Sequence, residues 1–232
     1  MKQLSRTAVK VFKRFGIFLY REEITPAAQL LRRIEDRLIK SAGGVLHIGA
    51  HVGQEAERYG TLDVPVMWIE ANPETYKVLL ATIYKLPNQI ARNVLLGDHE
   101  DTNVVFHLTS NESASSSLLE PKAETLNHFS VVGELLLDMH RLDTVINEVE
   151  ASKYRHWVID VQGAELLVLK GAGNLLSLCQ SLLIEAKRES FYHNGVSFSE
   201  IKEFLMLHGF INLWEVDLIA EENILFVRIR NS

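Results

Sequence analysis

The sequence predicts an α/β protein with a doubly wound, mostly parallel sheet that ends in an antiparallel β-hairpin. Three observations support this prediction. Short apolar runs alternate with stretches of helical periodicity along most of the 232 residues, which is typical of successive βαβ units. Several of these runs end in a glycine or a carboxylate, the positions at which such sheets bind ligands. The last two runs flank an acidic turn and no helix, which indicates a hairpin.

The first half of the chain contains three strand–helix units. Apolar runs at residues 45–49, 64–70 and 90–96 predict the strands. Residues 52–60 predict the first helix, and a second helix begins after Asn72, a favourable N-cap that Pro73 follows. Consecutive units of this kind favour parallel strands joined by right-handed crossovers.

The second half is less regular before the pattern returns. Its predicted strands and apolar runs lie at residues 104–108, 134–139, 157–160 and 181–186, and its predicted helices at residues 164–170 and 198–208. The two strands of the terminal hairpin are expected near residues 211–216 and 224–229. No repeat or interdomain linker interrupts this order, which predicts one doubly wound domain with a C-terminal β-hairpin.

Charge divides the chain into two parts. Residues 1–40 carry ten Lys or Arg against four Asp or Glu, a balance of +6. The remaining 192 residues carry 14 against 26, a balance of −12. These counts favour a basic helical arm at residues 1–40 and a single domain at residues 41–232. The acidic domain argues against nucleic-acid binding, which needs a basic face.

The basic arm has two interpretations. Residues 1–20 combine five basic side chains with apolar ones, so they form either an amphipathic helix that touches anionic lipid or a helix packed on the domain. The arm lacks the pattern of a signal peptide, and no stretch approaches the roughly 18–20 apolar residues of a membrane span. The single cysteine, Cys179, fits a reducing compartment. We therefore expect a cytoplasmic protein, with peripheral membrane contact through residues 1–20 as an alternative.

The strand ends supply a candidate nucleoside site. The first strand ends in a G-x-x-x-G turn at residues 49–53, where small residues let the backbone approach a ligand and the following helix offers free N–H groups. The second strand ends in Glu70, whose carboxylate can accept hydrogen bonds from both hydroxyls of a ribose. Gly97 and Asp98 close the third strand, and Asp98 would face an adenine amino group. The turn is neither the G-x-G-x-x-G fingerprint nor a P-loop.

Several strings resemble the motifs of the FkbM-type methyltransferases. They are, in order, LHIGAHVGQE (residues 46–55), IEANP (69–73), LGD (96–98), the Ser-rich SSSLL (115–119), RLD (141–143) and DVQGAELLVLKGA (160–172). The last string is the most specific of them. The resemblance extends from about residue 44 to about residue 212 and leaves the basic arm outside.

The resemblance implies a class I, Rossmann-like methyltransferase that uses S-adenosyl-L-methionine and methylates a hydroxyl of a saccharide or natural product. It places cofactor binding at His47, Gly49, Ala50, His51, Gly53, Glu70, Ala71, Asn72, Gly97, Asp98 and Asp160. His47 stands where many members of the family carry an acid that helps to hold the methionine part of the cofactor. His47 is therefore either a cofactor contact or a strand histidine that faces the core or the floor of the cleft.

Transfer to a hydroxyl also needs a group that removes a proton. Asp160 ends the fourth parallel strand and is the first candidate base, with cofactor orientation as its alternative role. Glu165 is the second candidate, with capping of the following helix or bridging of loops as its alternative. His193 follows Tyr192 on a loop and is a third candidate base or a substrate contact. No metal is predicted, because the consecutive residues 98–101 cannot all face one ion.

Other interpretations remain open. Residues 115–117 form either a binder of hydroxyl or phosphate groups or a flexible lid. A nucleotide-dependent oxidoreductase is an alternative function that the spacing of the glycine turn and the predicted hairpin disfavour. A non-catalytic binding or scaffold protein is another, in which the basic arm would recruit a partner. The presence of Gly49, Gly53, Glu70 and Asp160 argues for retained cofactor binding and leaves catalysis undecided.

Overall fold

The computed structural model describes residues 26–124, 126, 128–186, 190–213 and 222–229. The chain forms two compact units, Met1–Glu35 and Asp36–Ser232. Helix α1 (Pro26–Ala42) begins in the first unit, and Gly43, with φ of +82°, ends it. The segment predicted to contact a membrane, residues 1–20, lies outside the described residues, so its role stays a prediction.

The second unit is built on a seven-stranded sheet. The described residues form the strands β1 (Val45–Ile48), β2 (Val66–Glu70), β3 (Gln89–Asn93), β4 (Leu95–Gly97), β5 (Asp101–Thr109), β6 (Val131–Arg141), β7 (His156–Ile159), β8 (Ser181–Ala186), β9 (Phe210–Asn212) and β10 (Glu222–Arg228). The main sheet has the order β3-β2-β1-β7-β8-β10-β9. Its first five strands pair in parallel, whereas β10 is antiparallel to both β8 and β9. The predicted doubly wound, mostly parallel sheet and its C-terminal hairpin are confirmed.

Helices cover both faces of this sheet. They are α2 (Ala56–Leu62), α3 (Pro73–Ile83), α4 (Leu142–Val145), α5 (Glu148–Ala151), α6 (Glu165–Gly171), a 3₁₀ helix (Gly173–Leu178) and α7 (Phe198–Leu207). The Asn72 side chain accepts a hydrogen bond from the Glu74 backbone N–H at 3.0 Å, so the predicted N-cap is confirmed. Helix α2 begins later than predicted because the residues before it form consecutive turns: Gly53 N–H donates to Ala50 O, and Ala56 N–H donates to Gly53 O.

The third predicted strand, residues 90–96, is divided between two sheets. Strand β3 pairs with β2 in the main sheet, and β4 pairs with β6 in a second sheet of order β4-β6-β5. Leu96 belongs to the core of the main sheet, whereas Leu95 packs with Phe106 and Met139 in the core of the small sheet. The side chains of β4 are buried, whereas in β3 only Gln89 is buried and Ile90 is exposed. No glycine or proline stands between the two strands, so the sequence pattern does not reveal the change of partner.

Side chains of the main sheet alternate between two buried clusters. Leu46, Met67 and Trp157 face α6, the 3₁₀ helix and α7. Val66 and Trp68 face α2 and α3 on the opposite side. Because strand side chains alternate with a period of two, Glu70 follows these two residues on the second face. The alternation therefore brings the last side chain of β2 to the side of the sheet that carries the glycine turn.

Candidate active site

A cleft opens at the carboxyl ends of β1, β2 and β7, the edge at which doubly wound sheets bind ligands. It encloses about 190 Å³. The residues that line it and were predicted from the sequence are His47, Gly49, Ala50, His51, Glu70, Ala71 and Asp160. The lining also contains Gln54, Glu55, Gln162 and four residues of the loop between β5 and β6, namely Ser113, Ala114, Ser116 and Leu118.

At the glycine turn, the ends of β1 and β7 lie very close together. Gly49 has φ of +81°, and a Cβ atom there would overlap the carbonyl oxygen of Asp160. The N–H groups of Gly49 and Ala50 both donate to Ile69 O at 3.0 Å, and Asp160 N–H donates to Ile48 O at 2.9 Å. A side chain at residue 49 would therefore separate the two strand ends. Glycine at this position is required by the close approach of the strands, whatever ligand the cleft holds.

Glu70 is buried at the edge of the cleft. Its carboxylate accepts hydrogen bonds from His51 N–H and Asn72 N–H, each at 2.8 Å. Burial raises the pKa of Glu70 above its ordinary value, and the backbone hydrogen bonds partly oppose that shift. A carboxylate has about four acceptor positions, so Glu70 can also accept hydrogen bonds from a ligand in the cleft.

His47 is held in an aromatic cluster on the cleft floor. Its ring stacks on Trp68 with a centroid distance of 4.8 Å, and its Nδ1 lies 3.2 Å from the Tyr59 hydroxyl. The side chain is 5% exposed, yet it contributes to the cleft lining. His47 therefore faces both the core and the cleft floor, and its contact with a cofactor stays a prediction.

The Ser-rich loop between β5 and β6 forms the roof of the cleft, which we define as residues 112–118. Gln54 Nε2 donates to His51 Nδ1 at 3.0 Å, so the other ring nitrogen of His51 carries the proton and donates to Glu112 O at 2.9 Å. Asn72 Nδ2 donates to Ser113 Oγ at 3.3 Å. These contacts attach the roof to the glycine turn and to the start of α3. The loop is therefore a cover over the cleft.

Three acidic or amide side chains meet where β7 and β8 end. Gln162 Nε2 donates to Asp160 Oδ1 at 2.7 Å and to Glu185 Oε2 at 2.6 Å. Gln162 lines the cleft beside Asp160. The sequence interpretation gave Gln162 no role, although it lies within the most specific string and directly precedes a glycine. A glycine directly after a strand indicates a tight turn. This signal could have drawn attention to Gln162, the residue before that glycine.

Glu165 lies outside the cleft lining and holds the turn that carries Gln162. The side chain is 4% exposed, and its carboxylate accepts hydrogen bonds from Gly163 N–H at 2.9 Å and Val161 N–H at 3.3 Å. Burial raises the pKa of Glu165 to about 7, and the charge of Glu185 adds to this shift. The geometry agrees with its alternative role of bridging a loop.

We expect Glu165 to make stability depend on pH. A carboxyl group whose pKa is higher in the folded than in the unfolded protein binds more protons when folded, so the free energy of unfolding falls as the pH rises from 4.5 to 7. The fall that Glu165 contributes is about 3 kcal/mol. Glu165→Gln keeps an oxygen for Gly163 and should remove this part of the fall. Urea unfolding between pH 5 and 8 measures the difference, and parallel curves for the two proteins would contradict it.

The remaining predicted site residues lie outside the cleft lining. Gly53 is in the turn before α2, and Asn72 caps α3. Gly97 ends β4 in the small sheet, and the Asp98 carboxylate lies 2.7 Å from His99 Nδ1. His193 is exposed, and its backbone N–H donates to Glu120 O at 2.8 Å. None of these residues lines the cleft, although the N–H groups of Gly53 and Asn72 donate to the lining residues Ala50 and Glu70.

Gly97 has a packing role in the small sheet. A Cβ atom at Gly97 would overlap Met139 Sδ, and one at Gly171 would overlap the carbonyl oxygen of Gly97. The two glycines therefore let α6 approach β4 and β6 closely. This contact explains the glycine at residue 171, near the end of the most specific string, through packing alone.

Within the described part of the chain, no group of three or more His, Cys, Asp or Glu side chains is arranged to hold a metal ion. No helix among the same residues is long and apolar enough to cross a bilayer.

The chain has relatives among solved structures. It resembles the methyltransferase FkbM from Methylobacillus flagellatus KT with a TM-score of 0.53 and 14% identity, over 80% of this chain and 44% of that one. It also resembles the bifunctional kinase–methyltransferase WbdD with a TM-score of 0.51 and 16% identity, over 89% of this chain and 40% of that one. The chain spans less than half the length of either structure, and at these identities the likeness shows the fold. No curated protein matches the chain with significance.

A family model decides the assignment. The model described as "Methyltransferase FkbM domain" matches residues 47–211, well over half of the chain. The matched range contains the glycine turn, Glu70 and the string from Asp160 to Ala172, which are the features on which the sequence resemblance rested. The chain therefore belongs to the FkbM family of S-adenosylmethionine-dependent methyltransferases.

Proposed function

We propose that the chain binds S-adenosylmethionine in the cleft and transfers its methyl group to a hydroxyl of a saccharide or natural-product acceptor. The observation that carries this proposal is the position of Glu70. Its buried carboxylate lies beside the glycine turn, is oriented by two backbone N–H groups and keeps acceptor positions for the two hydroxyls of a ribose. The match to the FkbM family supports the same assignment.

The other lining residues fit the remaining parts of the cofactor. Leu96, Phe106 and Leu118 offer apolar surface to an adenine ring. Asp160 is a negative charge in the same cleft and attracts a positively charged sulfonium. His47 lies on the floor, where the family's acid would meet the methionine part. The fit rests on this combination of one apolar wall and two carboxylates.

The chain's own residues would then perform the remaining tasks. When bound, the cofactor supplies a methyl group on a positively charged sulfur that an oxygen nucleophile attacks in line. Asp160 accepts the proton of the acceptor hydroxyl. The roof excludes water from the cleft, which strengthens the electrostatic interactions inside it. Glu165 and His193 are outside the lining, so we assign the base to Asp160 ahead of them.

Calorimetric titration tests the cofactor assignment. We expect S-adenosylmethionine and S-adenosylhomocysteine to bind and NAD, the control, not to bind. Transfer of a labelled methyl group to a panel of mono- and oligosaccharides and hydroxylated natural products then tests the acceptor class. We expect Asp160→Asn to lose transfer while it still binds S-adenosylhomocysteine. Binding of neither S-adenosyl ligand would refute the proposal, and binding of NAD alone would favour the oxidoreductase.

A further inference from the structure

Gln162 connects three parts of the molecule. Its amide nitrogen has two protons, and the structure places one acceptor for each: Asp160 Oδ1 at 2.7 Å and Glu185 Oε2 at 2.6 Å. The amide oxygen lies 3.2 Å from the Tyr192 hydroxyl. Asp160 follows β7 and Glu185 lies near the end of β8, so one side chain links two neighbouring strand ends.

The backbone holds Gln162 in this orientation. Its φ is +55°, and the next residue, Gly163, has φ of +97°. A Cβ atom at Gly163 would lie 2.8 Å from the Tyr192 ring, so the turn is packed directly against that side chain. The buried Glu165 carboxylate also binds the N–H groups on both sides of Gln162. These contacts fix the backbone at Gln162, and the hydrogen bonds of its own amide nitrogen orient the side chain.

Tyr192 links the same amide to the roof. The Tyr192 ring is buried, and its hydroxyl donates to Ser115 O at 2.8 Å. A phenol has one proton, so the longer contact with the Gln162 oxygen is the weaker of the two. The amide oxygen therefore faces the phenol, which leaves the amide nitrogen directed at the carboxylates.

A neutral amide suits the space between two carboxylates. Hydrogen bonds from N–H groups to ionised oxygens are shorter and stronger than bonds between neutral groups. Glutamine supplies two such donors without adding charge, whereas a third carboxylate would bring like charges within 3 Å of one another. Of the two acceptors, only Asp160 lines the cleft, and Glu185 anchors the amide from the other side.

We propose that Gln162, anchored by Glu185, is a positioning residue that holds the Asp160 carboxylate in the cleft against the positive charge of the sulfonium cofactor. This inference rests on the proposed function. In its absence, the Asp160 carboxylate loses the hydrogen bond from Gln162 and is held less firmly toward the cleft. Neutral S-adenosylhomocysteine lacks the charge that Asp160 would meet, so the two ligands separate this role from general damage to the cleft.

The test is a double-mutant cycle read by calorimetry. Gln162→Met keeps the length of the side chain and removes both donors. We expect it to lower the preference for S-adenosylmethionine over S-adenosylhomocysteine about fivefold, and Asp160→Asn to lower it at least as much. Gln162→Met in the Asp160→Asn background should cause no further loss, because the residue acts through Asp160.

Two further variants distinguish positioning from folding. Glu185→Gln keeps an oxygen to accept from Gln162 and should retain the preference, whereas Glu185→Met should lower it as Gln162→Met does. Gln89→Met is the control, since Gln89 is also a buried bridging amide that accepts from Trp68 Nε1 and donates to Ala56 O, away from the cleft. We expect it to reduce stability and to leave the ligand preference unchanged.

The outcomes separate the inference from the proposed function. If the wild-type protein binds neither ligand, the proposed function fails. If it binds both and Gln162→Met lowers the preference equally with and without Asp160, only the inference is overturned. An unchanged preference in Gln162→Met or in Asp160→Asn overturns it as well.

Discussion

Replacing Glu70 with glutamine is expected to weaken binding of S-adenosylmethionine at least tenfold, about 1.4 kcal/mol. The carboxylate now accepts from His51 N–H and Asn72 N–H, one on each oxygen. An amide would direct its own N–H₂ group at one of these donors and leave that donor without a partner in a buried site. The amide would also remove one acceptor for a ribose hydroxyl. The substitution therefore weakens both a backbone hydrogen bond and the contact with the ligand.

Calorimetric titration measures this loss, and Glu74→Gln is the matched control. Glu74 lies in the first turn of α3 and pairs with Lys77 at the surface, where the Glu74 side chain is 77% exposed. We expect the control to bind the cofactor as the wild-type protein does. Since burial raises the pKa of Glu70, binding to the wild-type protein should also weaken when the pH is lowered toward that pKa. Equal affinities of Glu70→Gln and Glu74→Gln would contradict the ribose assignment.

Replacing Gly49 with alanine is expected to cost at least about 3 kcal/mol of unfolding free energy. The residue adopts φ of +81°, which alone disfavours a side chain by roughly 1 kcal/mol. The added Cβ atom would also overlap the carbonyl oxygen of Asp160, so β1 and β7 must separate at the ends that form the cleft. The hydrogen bond from Asp160 N–H to Ile48 O lies at the same point and would be stretched.

Urea unfolding measures the cost, with Gly133→Ala as the control. Gly133 lies in β6, and a Cβ atom there would meet only Leu108 Cδ1 at an ordinary 3.7 Å. Alanine is a better strand residue than glycine, so the control should be neutral or slightly stabilising. A loss below 1 kcal/mol in Gly49→Ala would mean that the strand ends adjust without cost, and the close approach would then not explain the glycine.

Strands that are marked by a local sequence pattern were the most predictable elements of the fold. The run at residues 181–186 matches β8 residue for residue, because it is apolar, short and bounded on both sides. The run at 90–96 was predicted as one strand and is two. No glycine or proline separates the two strands, and the change is seen in their hydrogen-bonding partners, β2 for the first and β6 for the second. Those partners are distant in sequence and leave no local trace.

The same distinction applies to the residues of the candidate site. His47, the glycine turn, Glu70 and Asp160 follow the ends of predicted parallel strands and line the cleft, because parallel strands end at one edge of a sheet. Gly97 and Asp98 were placed there by the same rule, but the part of that chain segment that lines the cleft ends at Leu96. His193 follows the end of β8 in sequence, yet the loop turns toward Glu120 and leaves it exposed.

By itself, the sequence determined the fold class, the family and the carboxylates at the strand ends, because each of these depends on residue types at fixed spacing. Only the tertiary structure decided what surrounds those carboxylates. The roof comes from a loop some sixty residues away from the turn that it covers, as the contact of His51 with Glu112 illustrates. The Gln162 amide meets Glu185 across two strands. Such contacts depend on how separate elements pack, which no spacing along the chain encodes.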